Sequence, residues 1–254
     1  MWGMNLELRY KNIKLIIEYD GTNYSGWQRQ KDCQSIQGVI ESAIVRMTGQ
    51  QITLNGSGRT DAGVHAWQQV ANFKCHTRLT PTQFLNGLNS LLPDDIAIHS
   101  CSEVPGNFHS RYNVKSKVYR YYIGQRPHKM ALFHQYCWYL PYKLNISDMQ
   151  NACTLFEGTH DFKSFEGAGS PRSTSVRTII RSTLNLNDNQ YIIYEIEADG
   201  FLRYMVRNIV GTLVEIGKKR MSYDAIPRIL ESKTRHLAGP TAPSRGLFLI
   251  EVKY

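Results

Sequence analysis

The order in which two periodicities alternate along the chain restricts its fold more than any other property. Ile13 to Tyr19 is β-rich and is bounded by Asp20-Gly21, so it reads as a strand. Behind Ser35, the residues Ile36, Val39, Ile40, Ala43, Ile44 and Met47 recur at helical spacing, with Ser35 placed to cap the start and Gly49 to end the helix. Two β-prone runs follow, Gln51 to Leu54 and Trp67 to Cys75, separated by a glycine-dense turn. Thr80-Pro81 opens a second helix whose buried stripe is Phe84, Leu85, Leu88 and Leu91, and Pro93 stops it before a further strand at Asp95 to Glu103. The resulting order, β-α-β-β-α-β, is the split βαβ pattern of ferredoxin-like domains.

The second half repeats that order with insertions. Pro105-Gly106-Asn107 marks a break in composition, giving halves of 1–106 and 107–254. Lys115 to Ile123 is a basic, aromatic strand in which Tyr119 and Tyr121 share one face and Arg120 and Tyr122 the other. Tyr136 to Leu140 is another strand, and a helix begins at Asn145 or Ser147 with Met149, Ala152, Cys153 and Phe156 on its apolar side. A long polar loop from His160 to Thr178 carries Lys163, Arg172 and Arg177. Strands at Ile179–Leu186 and Tyr191–Ala198 meet at an Asn187-Asp188-Asn189 turn. An apolar helix then spans Phe201 to Ile216, with Arg203 and Arg207 four residues apart and so projecting from one side. A short helix at Tyr223 to Leu230 and a strand at Gly246 to Val252 complete the chain. Two similar sheets side by side would leave a cleft between the halves.

Charge and cysteine usage narrow the class. Lysine and arginine total 30 against 21 acidic residues, a net charge of +9 that favours polyanionic partners, nucleic acid first and an anionic membrane second. The five cysteines are widely spaced with no C-x-x-C, and the eight histidines are scattered, which argues against a zinc site and a secreted disulfide framework. No apolar run reaches membrane-spanning length, and Met1 to Lys14 lacks an apolar signal core. The expectation is a soluble, cytoplasmic protein without metal.

Chemistry concentrates in Gly56-Ser57-Gly58-Arg59-Thr60-Asp61-Ala62-Gly63-Val64-His65-Ala66. A glycine-dense loop between two strands displays a side chain from a rigid base, and Asp61 is the carboxylate it displays. A plain tight turn accounts for the same spacing, since aspartate bonds readily to nearby backbone amides. The loop is not a phosphate loop, which needs a Gly-Lys-Ser/Thr ending. The stretch Tyr19 to Gln30 combines aromatics, amides and Arg29; its rings suit base stacking, and Trp27 equally suits a core plug. Arg207, set between Met205-Val206 and Ile209-Val210, suits either a carboxylate partner or a course out to solvent.

Four segments, in order, resemble the tRNA pseudouridine synthase A family. Gly58 to Ala66 looks like its catalytic motif, Tyr19 to Gln30 its N-terminal motif, Met205 to Gly211 its late helix and Gly246 to Leu249 its closing strand. The resemblance implies an α+β fold of two ferredoxin-like halves that form a continuous mixed or antiparallel sheet flanked by helices, with a central basic cleft. It implies isomerisation of uridine to pseudouridine at positions 38, 39 and 40 of the tRNA anticodon stem-loop, without cofactor or metal, by a homodimer. Asp61 matches the essential aspartate, Tyr119 the tyrosine that stacks on the target base and helps remove the C5 proton, and Arg207 the arginine paired with the aspartate. Arg59 is a candidate for holding the flipped nucleotide's phosphate or propping its backbone open. Ser170 to Arg177 matches the family's basic loop only loosely.

Two other classes compete. A non-catalytic tRNA-binding protein would use the same basic surface, but has little use for a carboxylate there. A glycoside-cleaving hydrolase needs two carboxylates flanking the bond. Asp61 is one strong candidate for that role, with Asp20 and Asp199 as weak seconds.

Overall fold

A computed structural model describes residues 8–169, 174–187 and 191–254. It is a mixed α+β fold that divides into two compact units. The first runs to Val114 and includes Tyr254; the second is Lys115–Lys253.

The first unit holds β1 (Arg9–Tyr19), α1 (Ile36–Thr48), β2 (Asn55–Gly56), β3 (His65–Thr77), α2 (Pro81–Leu91) and β4 (Ile96–Val104). The sheet order is β4-β1-β3-β2, with every neighbouring pair antiparallel. Alternation decides the faces: Ile13, Leu15, Ile17 and Tyr19 are all buried, and a slip of one residue would turn that set to solvent. Phe73 of β3 meets Phe84 of α2 edge-on, with ring centroids 5.5 Å apart, so the helix stripe seats on the sheet. Burying each such ring contributes about 1.5–3 kcal/mol. Both helix starts form as the sequence implies. Ser35 accepts from the Gly38 N–H, and Thr80 forms a capping box with Gln83, accepting from its N–H at 3.2 Å while its own N–H donates to the Gln83 side chain at 2.8 Å.

Two expectations shift here. The strand expected at Gln51–Leu54 lies later, at Asn55–Gly56. The reason is competition for Leu54: its N–H donates to Glu41 at 2.9 Å and its carbonyl accepts from Gln37 at 3.1 Å, so helix side chains take the groups a ladder would need. The break around Gly106 lies inside the first unit. Asn12 donates to the carbonyls of Pro105 and Phe108, the Ser110 N–H donates to Asn72, and the Tyr254 hydroxyl donates to the Ser110 carbonyl at 2.7 Å. These bonds tie 105–110 to its sheet.

The second unit holds β5 (Ser116–Gln125), β6 (Trp138–Leu140), α3 (Ile146–Thr154), β7 (Gly158–Asp161), β8 (Val176–Leu186), β9 (Tyr191–Ala198), α4 (Met205–Gly217), α5 (Ala225–Ser232) and β10 (Leu247–Lys253). Its sheet runs β10-β5-β9-β8-β7, each neighbour antiparallel, with the short β6 parallel to β5. Without β6 and β7 this is the first unit's order again: last strand, first, third, second.

Much of the expected long loop at 160–178 takes up regular structure. It contains the end of β7, a one-turn 3-10 helix at Phe162–Phe165 and the start of β8. Phe162 and Phe165 are fully buried, and Asp161 caps the turn by accepting from the Lys163 N–H at 3.1 Å. Two aromatic anchors outweigh the polar average of the segment. Ser170, Pro171, Arg172 and Ser173, and Asp188 and Asn189 of the expected hairpin turn, lie outside the described residues. Helix α4 starts at Met205 and not at Phe201, because Tyr204 sits in a left-handed conformation at φ 61°, so Arg203 precedes the helix.

Candidate active site

Asp61 is half-buried on the turn between β2 and β3. Its own carbonyl accepts from the Val64 N–H at 3.1 Å, closing the turn. The loop at 19–30 forms its floor. The Trp27 N–H donates to the Thr60 carbonyl at 3.1 Å, and the Gly63 N–H donates to the Tyr24 carbonyl at 3.3 Å. Gly26 makes this approach possible: its φ is +94°, and a Cβ there would lie 2.5 Å from the Thr60 oxygen and 3.0 Å from the Asp61 carbonyl carbon.

Below the turn lies a buried polar network. The Tyr19 hydroxyl shares a 2.8 Å hydrogen bond with the Thr60 hydroxyl. Gln69 donates to the Gly58 carbonyl at 3.1 Å and accepts from the Ser57 hydroxyl at 2.6 Å, while the Ser57 N–H donates to the Val70 carbonyl. Burial drives the Tyr19 phenol well above its usual range, against the opposing hydrogen bonds of Thr60 and Gln69, so it stays a neutral hydroxyl. His65, also buried, places Nδ1 3.1 Å from the Gly21 N–H and 3.0 Å from an Asp20 carboxylate oxygen. Residues 57, 58, 60, 63 and 65 are thus each held by a named bond, and the geometry of Asp61 follows from its neighbours.

This arrangement decides several sequence readings. Trp27 is 2% exposed and Tyr24 is buried, so the aromatics of 19–30 are core and present no face for base stacking. Arg59 is exposed, and its Nε donates to Gln28 at 3.1 Å, which fixes it beside the turn. Asp20 is occupied by His65 and by the Thr22 N–H and hydroxyl. Asp199 accepts from the Thr178 N–H at 3.1 Å, a strand-end role. Neither has the setting of a second glycosidase carboxylate.

In the second unit, Tyr119 is 7% exposed on β5, between Leu249 of β10 and Ile196 of β9, and meets the Phe201 ring edge-on at 5.0 Å. Tyr121, on the same face, is fully buried with its hydroxyl donating to the Pro243 carbonyl at 2.7 Å. Arg120, on the other face, pairs with Glu195 at 2.6 Å. The alternation expected of this strand is the one observed.

Arg207 lies in the first turn of α4, half-buried. Its Nε donates to the Ala242 carbonyl at 2.7 Å, and the Ala242 N–H donates to the Arg207 carbonyl at 3.1 Å. The 239–242 strap can lie this close because of Gly211, where a Cβ would come within 1.6 Å of the Pro240 oxygen. Beside Arg207, the fully buried Asn208 donates to the Phe165 carbonyl at 2.7 Å and accepts from Thr241 and Arg235, at 2.7 and 3.0 Å. The Arg207 guanidinium also lies over the Tyr204 ring, 4.9 Å from its centroid. In its own unit Arg207 therefore meets a carbonyl and an aromatic face.

Sequence reading missed Tyr19, Thr60 and Gln69 as supports and missed Tyr204 entirely. Gln69 left a trace, a polar residue inside an apolar strand run; Tyr204 left none. Among the described residues no group of three or more His, Cys, Asp or Glu is placed to hold a metal ion, and no helix is long and apolar enough to cross a membrane. All five cysteines are free thiols.

Residues 15–113 and 152–254 match the family model described as tRNA pseudouridine synthase. Among curated proteins, the chain is similar to "tRNA pseudouridine synthase A" of Acetivibrio thermocellus, 48% identical over 244 residues, covering 96% of this chain and 100% of the relative. Proteins of the same name from Thermoanaerobacter sp. (strain X514) and Clostridium botulinum (strain Alaska E43 / Type E3) are each 45% identical, with the same coverage.

Proposed function

The chain belongs to the tRNA pseudouridine synthase family, and we propose that it converts uridine to pseudouridine at positions 38, 39 and 40 of the tRNA anticodon stem-loop, with Asp61 as the essential carboxylate. That it is an isomerase acting on tRNA follows from the family. The observation that carries the finer reading is the setting of Asp61: a carboxylate on a turn whose backbone is fixed on both sides by loop 19–30 and by the Tyr19–Thr60–Gln69 network. Such pre-set geometry is what a reacting group requires, because misplacement by a fraction of an ångström is costly.

The reaction breaks the bond from N1 of uracil to C1′ of ribose, turns the base and joins C5 to C1′, after which the C5 proton leaves and N1 takes one up. The nucleotide must first leave the stack, which costs a few kcal/mol. Asp61 is assigned the covalent or proton-transfer work of the carboxylate. Arg207 is assigned the cation that favours the ionised form of the reacting carboxylate. Tyr119 is assigned the stacking face for the freed base and a part in removing the C5 proton. Arg59 is assigned a phosphate of the flipped nucleotide, with the chain's other lysines and arginines giving the sequence-independent grip on RNA. No cofactor or metal takes part in these steps. The repeated strand order of the two units supports two ferredoxin-like halves. We read the working form as a cytoplasmic homodimer, which light scattering on the purified protein tests for subunit number.

The experiment is the mapping of carbodiimide-modified uridines in tRNA from a strain lacking the gene, with and without the gene restored. Restored signal at 38, 39 and 40 supports the assignment; signal at other positions, or none, refutes it. With Tyr119→Phe the base still stacks, so wild-type turnover in that variant would remove the hydroxyl from proton transfer.

A further inference from the structure

We propose that Tyr204 is a positioning residue for the reaction: its ring, held in a left-handed backbone turn at the entrance of α4, sets the direction of the Arg207 guanidinium. The inference rests on the reading that Arg207 takes part in the reaction. Four observations carry it.

Tyr204 adopts φ 61° and ψ 2°, a conformation that non-glycine residues seldom take and that is retained where surrounding contacts over-determine it. Its ring is fixed from one side by the Gly167 backbone; a Cβ on Gly167 would lie 2.4 Å from the ring's Cδ2. Arg203 fixes it from another direction. The Arg203 guanidinium lies over the ring at 4.7 Å and donates to the Tyr204 hydroxyl at 3.0 Å and to the Ala168 carbonyl at 2.9 Å, while the Arg203 carbonyl accepts from the Gly167 N–H at 2.8 Å. Arg207 in turn lies over the same ring at 4.9 Å, with Nε on the Ala242 carbonyl.

An arginine side chain has many rotamers, and a hydrogen bond at Nε does not by itself fix the plane of the guanidinium. The aromatic face supplies the second constraint, and its electron-rich surface holds the cation by electrostatic attraction. Together, the Nε bond and the ring contact constrain the direction in which the terminal N–H groups aim. Glycine at 204 would suit the backbone angle better and could not do this, which accounts for a tyrosine in a glycine-favouring position.

The test uses multiple-turnover pseudouridine formation on an otherwise unmodified tRNA transcript carrying tritium at C5 of uridine, followed by tritium release, alongside the thermal midpoint of each variant. Tyr204→Phe keeps the face and is expected to stay within about threefold of wild type, whereas Tyr204→Leu is expected to lose about tenfold or more in kcat with KM for tRNA nearly unchanged. Tyr204→Gly relieves the backbone angle, so it is expected to keep or raise the midpoint while losing activity to the same extent; a merely structural residue would move both together. Gly167→Ala, which pushes the ring without altering it, is expected to reproduce the kcat loss. In an Arg207→Lys background the Tyr204→Leu change is expected to add little, because the group it positions is already altered. Full activity in Tyr204→Leu or Tyr204→Gly, with Arg207→Ala inactive, overturns the inference and leaves the proposed function standing. Full activity in Arg207→Ala overturns the inference together with the role assigned to Arg207.

Discussion

The first unit mounts its candidate group on a turn, and the second mounts its own on a helix entrance, although the two units share one strand order. In the first, the Asp61 turn rests on buried side-chain hydrogen bonds from Tyr19, Thr60 and Gln69 and on backbone bonds from Tyr24 and Trp27. Its unusual backbone angle at Gly26 is given to a glycine. In the second, Arg207 is held by a strap of main chain at Ala242 and by an aromatic ring, and the unusual angle at 204 is given to a tyrosine. The difference follows from the groups being held. A short carboxylate has few rotamers, so fixing its backbone nearly fixes its oxygens. A long guanidinium does not inherit precision from its Cα and has to be gripped near its tip.

That contrast can be broken at several points. The largest effect is expected for Asp61→Asn, a loss of roughly 10³-fold or more in the rate of pseudouridine formation, with tRNA retention on filters and the thermal midpoint close to wild type. A rate near normal would take the chemistry away from the first unit's turn. Next is Gly211→Ala, where main chain sits 1.6 Å from the added carbon. Parting the strap from α4 is expected to cost at least about 4 kcal/mol in denaturant unfolding, and an unchanged midpoint would show that the strap does not brace Arg207. Gly26→Ala follows, at about 2–3 kcal/mol, because a positive φ and a 2.5 Å contact with the Thr60 oxygen both resist it. Its rate should fall by more than its stability explains, since the atoms displaced are those carrying Asp61. Tyr19→Phe removes one buried bond to Thr60 and is expected to cost about 1–2 kcal/mol with a several-fold drop in kcat. Equal activity in that variant would confine the precision of the turn to its backbone bonds.

The smallest effect is a pH dependence in the second unit. Glu197 accepts from Lys253 at 2.9 Å and from the Ser116 hydroxyl at 2.6 Å, and these bonds, Lys253 first, hold its carboxyl below the usual glutamate range against the opposing effect of burial. A depressed folded-state pKa contributes stability that is present above the unfolded value and is lost as pH falls through the folded one. Glu197→Gln should therefore lower stability by a constant amount near neutrality and flatten the acid limb below the ordinary glutamate range, so that the two profiles converge at low pH. Parallel profiles for the two proteins would assign that limb to other carboxylates.

Much of this was readable in advance, and for identifiable reasons. The caps at Ser35, Thr80 and Asn145 are local: a side chain reaches an amide two or three residues away, and nothing distant competes. The faces of β1 and β5 follow from alternation. Where expectation and structure part, a distant group has intervened. Glu41 and Gln37 capture the backbone of Leu54, buried Phe162 and Phe165 order a polar segment, and the Arg203–Tyr204–Gly167 cluster delays the start of α4.

The sequence by itself determined the family, the repeated order of elements and the place of Asp61 on a glycine-dense turn, because each is written in residue types at short, fixed spacing. Only the tertiary structure decided that Trp27 and Tyr24 are core, that Gln69 and Tyr19 support the turn, and that Arg207 is gripped by Tyr204 and Ala242. Such partners lie tens of residues apart or sit in a rare backbone angle, and their meeting depends on sheet register and close main-chain approach, which no local pattern encodes.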